Sequence, residues 1–256
     1  MFFISFFFPI VQCDYTDNSI SQVNIDEINV KLPQRYNFLE EFPECDFGPL
    51  TQECGCCYAY SALKMLSHRY CRATHKKLLL SAQFMVTCDL SNAKCDGGNE
   101  RSSLYFLEKY GAPSDECFPF VGYTDYSPEL CSKCLDNSRM KLYKIKPWTT
   151  IHYSSVDSIK KAIFLNGPLT TCVGADYKFR RYKGGIYQSK PGIIDGCNHS
   201  LELIGWGYEN NQEFWYLLNQ YGKNWGENGT IRILMHHDEA LVESFVYGSQ
   251  PDLSVL

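Results

Sequence analysis

The chain has 256 residues, of which 45% are hydrophobic, with a formal net charge of -5 and 13 cysteines. A chain of this size has enough apolar material for one compact unit or two packed halves of about 100 residues each, which excludes a disordered protein. The acidic balance leaves no basic surface for a phosphate backbone, so nucleic acid is not an expected partner.

The N-terminal residues MFFISFFFPIVQ are apolar and end at Cys13. This pattern predicts a secretory signal over residues 1–13, with an uncleaved apolar N-terminus as the alternative. Residues 14–31 are polar and irregular, which predicts an exposed leader before a folded domain that begins at Leu32. No later stretch reaches the ~18 apolar residues of a membrane span. We therefore expect a protein of the secretory pathway, located outside the cell or in a lysosome-like or vacuole-like vesicle.

The cysteines are spread from Cys13 to Cys197. Together with an export signal, this spread predicts a disulfide framework built in an oxidising compartment. The alternative is a zinc site that uses the runs Cys54-Gly55-Cys56-Cys57 and Cys131-Ser132-Lys133-Cys134. Structural zinc ligands usually form matched pairs and these runs do not match, so no metal is expected.

Helical patterns dominate the first half of the chain. Apolar residues recur at four-residue intervals over 57–71, which predicts a helix whose first residue is Cys57. Further helices are predicted near 81–86, with Ser81 as the N-cap, and over 99–110. The nucleophilic side chain of Cys57 is thus expected at a helix start.

The second half changes period after a predicted helix over 156–165. Short alternating or apolar runs then predict antiparallel strands over 169–174, 199–208, 213–219, 230–234 and 244–247. The fold class is therefore α+β, with a mainly helical half, 32–140, a mainly β half, 141–248, that forms a barrel-like lobe, and a C-terminal tail, 249–256. A cleft between two such lobes is the expected place for the active site.

Three residues could perform nucleophilic catalysis across that cleft. A thiol attacks a carbonyl as a thiolate, and a helix start together with an imidazolium lowers the thiol pKa. Cys57 meets the first condition, and His199 could supply the second if Asn219 accepted its ring proton.

The contexts of these residues carry a family resemblance. Cys54-Gly55-Cys56-Cys57-Tyr58, Asn198-His199-Ser200 and the run from Asn219 to Gly229, NQYGKNWGENG, resemble the signature of papain-like cysteine peptidases over residues 32–248. The runs LPQRYN, FPEC and VES look closest to cathepsin B-like members, while CFPF looks like the cathepsin C branch.

The resemblance implies a papain-like fold and a cysteine-type endopeptidase without a cofactor. Cys57 would form a thioester with the substrate, His199 would act as general base and acid, and Asn219 would orient the imidazole. Gln52 would be the side-chain donor of the oxyanion hole, although it lies one residue closer to Cys57 than the family pattern requires. An endopeptidase is expected because no histidine-bearing loop lies between Cys117 and Cys134 to block the groove.

The resemblance also implies disulfide pairs. They are Cys54 with Cys95, Cys45 with Cys71, Cys88 with Cys131, and Cys117 with Cys134. Cys172 and Cys197 border the second subsite of the family and are proposed as a fifth pair. Cys56 and Cys57 would then stay reduced.

The expected substrate-binding residues surround the cleft: Gly97, Gly98, Cys197, Asn198, Tyr221 and Phe245. Phe245 favours apolar over basic side chains two residues before the scissile bond. Asn99, Glu100 and Arg101, however, replace the aromatic and proline residues often found on the opposite wall, and this substitution favours a more polar pocket.

Protein or peptide substrates and cystatin-like inhibitors are the expected partners of what we expect to be a monomer. Two other classes of protein stay open. The displaced Gln52 and the doubled Cys56-Cys57 are compatible with a catalytically weak or silent papain-fold protein that acts by binding. A disulfide-rich structural protein would explain the cysteines but not the contexts of His199 and Asn219.

Overall fold

A computed structural model of the chain describes residues 25–122, 125–189 and 196–255. The predicted signal segment, 1–13, and the first part of the leader, 14–24, lie outside these ranges. Within the described ranges, no helix combines the length and the apolar character needed to cross a bilayer.

The helices begin where polar side chains cap them. In the described ranges they are α1 (Phe38–Glu41), α2 (Cys57–Thr74), α3 (Ala82–Cys88), α4 (Glu100–Lys109), α5 (Val156–Asn166) and α6 (Tyr177–Arg180). The Ser81 hydroxyl accepts the Phe84 N–H at 2.9 Å before α3, and the Asn99 side chain accepts the Ser102 N–H at 3.2 Å before α4. Such caps satisfy N–H groups that the first turn leaves unpaired, and they confirm the predicted starts of both helices.

The strands form one sheet around a long central strand. They are β1 (Tyr36–Asn37), β2 (Ile151–Tyr153), β3 (Leu169–Val173), β4 (Ile186–Tyr187), β5 (His199–Glu209), β6 (Gln212–Leu218), β7 (Thr230–Leu234) and β8 (Val246–Gly248). Their order is β2-β8-β3-β5-β6-β7-β4, and β1 pairs with β5 beside this path. In the central register Cys172 of β3 faces Ser200 of β5, and Glu202 of β5 faces Leu218 of β6.

The predicted α+β fold class is confirmed, and two details of the β lobe differ from the prediction. The sheet is open, with β2 and β4 at the ends of the described path, so the lobe is barrel-like only in a loose sense. The strands are also not all antiparallel, because β4 pairs with β7 in parallel. Strands of only two or three residues form these edges, and such strands are too short to continue the ladder into a closed ring.

The two apolar cores do not divide the chain at residue 140. The β-lobe core includes Tyr36 and Phe38 from the predicted helical half. Ile25, from the predicted exposed leader, is buried in the same core, in a 3₁₀ turn at Ile25–Glu27. The folded domain therefore includes residues before Leu32, because removing the apolar side chain of Ile25 from water lowers the free energy of the folded state.

The two lobes meet where α2 packs against β5. The Ser61 hydroxyl of α2 donates to the Leu201 carbonyl of β5, and both residues are buried. Cys57, at the start of α2, is thereby held beside the first residues of β5. This contact places the helix start and His199 at one end of the interface between the lobes.

Candidate active site

The two reduced cysteines lie next to each other at the start of α2. Cys56 is the N-cap residue and is fully buried, whereas Cys57 begins the helix and is partly exposed. Only Cys57 therefore offers a sulfur atom to a substrate. Its position at the positive end of the helix dipole favours a thiolate there.

All ten other cysteines of the described ranges form disulfides. The four predicted pairs are present, and Cys172 pairs with Cys197 as proposed. A disulfide sulfur is not a thiolate ligand, so Cys54 and the 131–134 run offer no ligand to the zinc site considered from the sequence. The same argument applies to Glu100, Cys172 and Cys197, whose ligand atoms lie within 4.8 Å of one another.

His199 is held by Asn219 and by two aromatic rings. Its Nε2 lies 2.8 Å from Asn219 Oδ1, which also accepts the Gln220 N–H at 2.8 Å. The Gln220 N–H can donate only to an oxygen, so the Asn219 atom that faces His199 is Oδ1. An oxygen cannot donate to Nε2, so Nε2 carries the ring proton and Nδ1 has the free lone pair. Tyr221 stacks on the imidazole at 4.8 Å, and Phe179 meets it edge-on at 5.8 Å.

Cys57 and His199 share the same neighbours. The Ser200 backbone N–H stabilises the negative charge of the Cys57 sulfur and counteracts the rise that burial causes in its pKa. Burial raises the pKa of Tyr221, which stacks on His199, and a thiolate at Cys57 adds to that rise. Ser200 and Tyr221 thus link the start of α2 to the imidazole of β5.

Burial favours the neutral forms of both groups. It raises the pKa of the Cys57 thiol, and the nearby Glu100 carboxylate adds to that rise. It lowers the pKa of His199 to about 4 against the opposing hydrogen bond from Asn219. The sequence predicted a thiol pKa lowered by the helix start together with an imidazolium. In this site burial outweighs the effect of the helix start on the Cys57 thiol, and it favours the neutral imidazole of His199.

The side-chain amide of Gln52 is not free to donate to an oxyanion. Its Nε2 donates to the Cys54 carbonyl at 2.8 Å, and its Oε1 is buried without a hydrogen-bond partner among the described residues. Gln52 lies one residue closer to Cys57 than in the family pattern, and this shorter spacing brings its amide onto the turn that precedes α2. The Cys57 backbone N–H is left as the donor that the helix start supplies directly.

The predicted substrate-binding residues fall into different settings. Gly97 and Gly98 follow Cys95, which the disulfide to Cys54 ties to the turn before α2. At Gly98 a Cβ would lie 2.6 Å from the Tyr58 ring, so no larger residue fits. Asn198 lies next to His199, and its side chain accepts the Ala175 N–H at 2.8 Å. Phe245 is 38% exposed and directly precedes β8, which pairs with β3.

Two residues of the site were missed as functional by the sequence. Ser200 contacts Cys57 through its backbone N–H, and its hydroxyl donates to the buried carboxylate of Glu100. For Glu100 the sequence showed only that polar residues replace the usual aromatic and proline residues on one wall of the substrate pocket. Its burial beside Ser200 depends on the pairing of two lobes that no local pattern reveals.

A helix-borne thiol that faces an amide-held imidazole is the arrangement of hydrolases with a cysteine nucleophile. The family model described as papain family cysteine protease matches residues 49–249. The chain belongs to the papain family of cysteine proteases. It hydrolyses peptide bonds in protein substrates, and the predicted endopeptidase activity is consistent with this family.

Relatives in sequence and structure agree with this assignment. Cathepsin B-like CP1 of Giardia intestinalis is 31% identical over 89% of this chain and 77% of its own length. Cathepsin B of Dictyostelium discoideum is 30% identical over 81% of this chain and 72% of its own length. A procathepsin B from Trypanosoma congolense has a TM-score of 0.78 at 23% identity, over 88% of this chain and 79% of that one, which shows the fold. The chain is thus a cathepsin B-like member of the family, as the sequence predicted.

Proposed function

We propose that Cys57, His199 and Asn219 are the residues that carry the peptidase activity. The observation that carries this proposal is the hydrogen bond between His199 Nε2 and Asn219 Oδ1, which leaves Nδ1 of the imidazole free to act as a base. In this assignment Asn219 fixes the tautomer and the orientation of the ring.

The reaction proceeds through a thioester. Cys57 Sγ attacks the carbonyl carbon of the scissile bond, and its proton passes to His199 Nδ1. Collapse of the tetrahedral intermediate breaks the C–N bond and transfers that proton to the leaving amine. Water, deprotonated by His199, then attacks the thioester, releases the acid and returns the proton to Cys57.

We propose that the domain assignment and setting of the enzyme are those expected from the sequence. Residues 1–13 would be the signal, 14–31 the leader, which packs Ile25 into the core of the peptidase domain, 32–248 that domain and 249–256 a C-terminal tail. The five disulfides support assembly in the secretory pathway and residence outside the cell or in an acidic vesicle. Cystatin-like inhibitors are proposed partners of an enzyme that works as a monomer.

Endopeptidase action predicts that free ends of the substrate are not required. An internally quenched peptide blocked at both termini should be cleaved at least as fast as its free-ended counterparts, because an open groove binds extended chain on both sides of the cut. The measurement is kcat/KM for the blocked peptide and for peptides with one free terminus. A strong requirement for a free carboxylate or amine would contradict endopeptidase action.

The placement of Gln52 predicts a limited role in transition-state stabilisation. A working oxyanion donor contributes about 100- to 1,000-fold to turnover. Because the Gln52 amide is held by the Cys54 carbonyl, we expect Gln52→Ala to lower kcat by less than about 10-fold. Steady-state kinetics on the blocked peptide measure the effect, and a loss of 100-fold or more would show that the amide turns into the hole when substrate binds.

The catalytically weak homologue is the second candidate, and the engaged Gln52 amide is the observation that favours it. A catalytically weak homologue would have a correctly assembled site with slow turnover. Titration of Cys57 with a thiol-reactive peptide epoxide would separate a slow enzyme, which reacts, from a silent one, which does not.

A further inference from the structure

A cavity of about 400 Å³ lies at the end of α2 that is remote from Cys57. Its lining comes from the last turns of α2, the end of α5, the segment 146–149 and the tail residues 250–253. Arg72 follows Cys57 by 15 residues along α2. Because a helix rises about 1.5 Å per residue, the cavity lies about 20 Å from the nucleophile, outside the substrate cleft. Its volume is within the range of sites that bind small molecules.

Arg69 brings a buried positive charge to this cavity. It is 2% exposed and donates to the backbone carbonyls of Gly167, Pro168 and Ser249 at 2.8 to 3.1 Å. Burial lowers its pKa to about 10, and the positive charge of Arg72 adds to this effect. Among the residues that the structure describes, no carboxylate forms an ion pair with either arginine. The two guanidinium groups therefore have dipoles around them but no counter-ion.

Arg72 has donors that the protein does not satisfy. Within the described ranges its Nε is buried without a hydrogen-bond partner, and its Nη2 lies 3.5 Å from the Phe164 carbonyl, at the outer limit of a hydrogen bond. The guanidinium carbon lies 5.5 Å from the centre of the Phe42 ring. An aromatic ring covers the flat face of a guanidinium and leaves the N–H groups on its edge for an acceptor. That edge matches the two oxygens of a carboxylate.

The rest of the lining adds a third cation and apolar surface. Lys146 lines the cavity together with Pro251 and Leu253 of the tail. The tail also carries Asp252, whose pKa is lowered chiefly by a hydrogen bond from the Ser254 hydroxyl and to a smaller extent by Lys146. The cavity therefore combines positive charge with apolar walls. A ligand that satisfies both parts has an anionic group and an apolar body.

We propose that this cavity binds a small organic anion, a carboxylate attached to an aromatic or aliphatic body. The carboxylate lies against Arg69 and Arg72 and supplies the counter-ion that they lack, while the body packs on Pro251 and Leu253. Three parts of the chain that are distant in sequence, α2, α5 and the tail, line the site. The bound anion therefore stabilises the folded chain by linkage.

The test measures the binding of 2-naphthoate by isothermal titration calorimetry, with 2-naphthylmethanol as its neutral analogue. We expect Arg72→Gln to weaken naphthoate binding by about 10- to 100-fold, the loss typical of a hydrogen bond to a charged group. The neutral analogue should bind the unmodified chain at least about 10-fold more weakly than naphthoate. Arg139→Gln, at an exposed arginine outside the cavity, is the matched control and should bind naphthoate as the unmodified chain does.

A second variant covers the case in which Arg72→Gln does not fold. Leu253 is 46% exposed, so Leu253→Glu places a negative charge at the cavity without burying it, and it should also weaken naphthoate binding by at least about 10-fold. An excess of the blocked peptide should not displace naphthoate from the Cys57→Ser chain, because the two sites are separate.

Four results would overturn the proposal. They are unchanged naphthoate binding in the folded variants of the cavity, equal binding of the neutral analogue, displacement of naphthoate by the blocked peptide, and no binding tighter than about 1 mM. Inorganic sulfate is the last arm of the test. If sulfate bound as tightly as naphthoate, the cations alone would account for the binding, and the proposed organic ligand would be wrong.

Discussion

Replacement of Cys57 by serine should abolish peptide hydrolysis, whereas replacement of Cys56 by serine should leave most of it. Cys57 is the reduced cysteine that is partly exposed, and it begins α2 beside His199, while Cys56 is buried. Burial also raises the pKa of Cys56 to about 11, so that thiol is not a nucleophile at neutral pH. We expect a loss of at least about 10⁴-fold in kcat/KM for Cys57→Ser.

The His199→Ala variant should be as inactive as Cys57→Ser. When two residues act as one catalytic unit, the loss of either one removes most of the activity that the pair provides. Cleavage of the blocked peptide, corrected for the amount of folded protein, measures all three variants. An active Cys57→Ser enzyme together with an inactive Cys56→Ser enzyme would show that the nucleophile has been assigned to the wrong cysteine.

Glu202→Ala should be the most destabilising substitution of a polar residue between the lobes. Glu202 Oε1 lies 2.6 Å from His68 Nδ1, and its Oε2 lies 3.7 Å from Lys64 Nζ, with all three side chains buried. Burial lowers the Lys64 pKa, and Glu202 is the first group that counteracts this. Removing the carboxylate leaves a buried ammonium unpaired, and we expect a loss of about 3–5 kcal/mol in the free energy of unfolding.

Urea unfolding with the disulfides intact measures this loss. Glu209→Ala is the matched control on the same strand, because its half-exposed carboxylate pairs with Arg232, which keeps Glu227 at 2.8 Å as a partner. That control should lose less than about 1 kcal/mol. A combined variant with Lys64→Met, His68→Phe and Glu202→Leu should recover most of the stability, since this cluster then buries neither an ammonium nor a carboxylate. Equal losses for the two single variants would contradict this electrostatic account.

The longer elements could be predicted because their signals are local. The stripe that begins at Cys57, the cap at Ser81 and the pattern over 99–110 predicted three helices to within one residue of their observed starts. The alternating runs likewise predicted β5, β6 and β7 to within about two residues. Each of these elements carries its own pattern over several residues, so its existence does not depend on distant partners.

The short strands could not be predicted, because distant backbone partners define them. Tyr36 and Asn37 form β1 only by pairing with Trp206 and Gly205 of β5. A Cβ at Gly205 would overlap the Tyr36 carbonyl oxygen, so this glycine permits the close approach of the two strands. The open sheet follows from such edges, and the sequence alone gave no sign that the lobe would not close.

The proposed catalytic residues have family contexts that the sequence shows, whereas the electrostatics around them could not be predicted. An acid in the first turn of α4 is ordinary at a helix start, so the sequence does not distinguish a solvated Glu100 from a buried one. The same is true of Gln52, whose amide is engaged by a carbonyl two residues away. Burial and partner choice depend on how the lobes meet.

Covalent labelling tests most directly whether His199 activates Cys57 as the nucleophile of a working peptidase. A peptide epoxide should alkylate the folded enzyme once, and peptide mapping by mass spectrometry should locate the adduct on Cys57, with labelling strongly slowed in His199→Ala. An adduct on Cys56, or no adduct on a folded chain under conditions that label papain-family enzymes, would contradict the account.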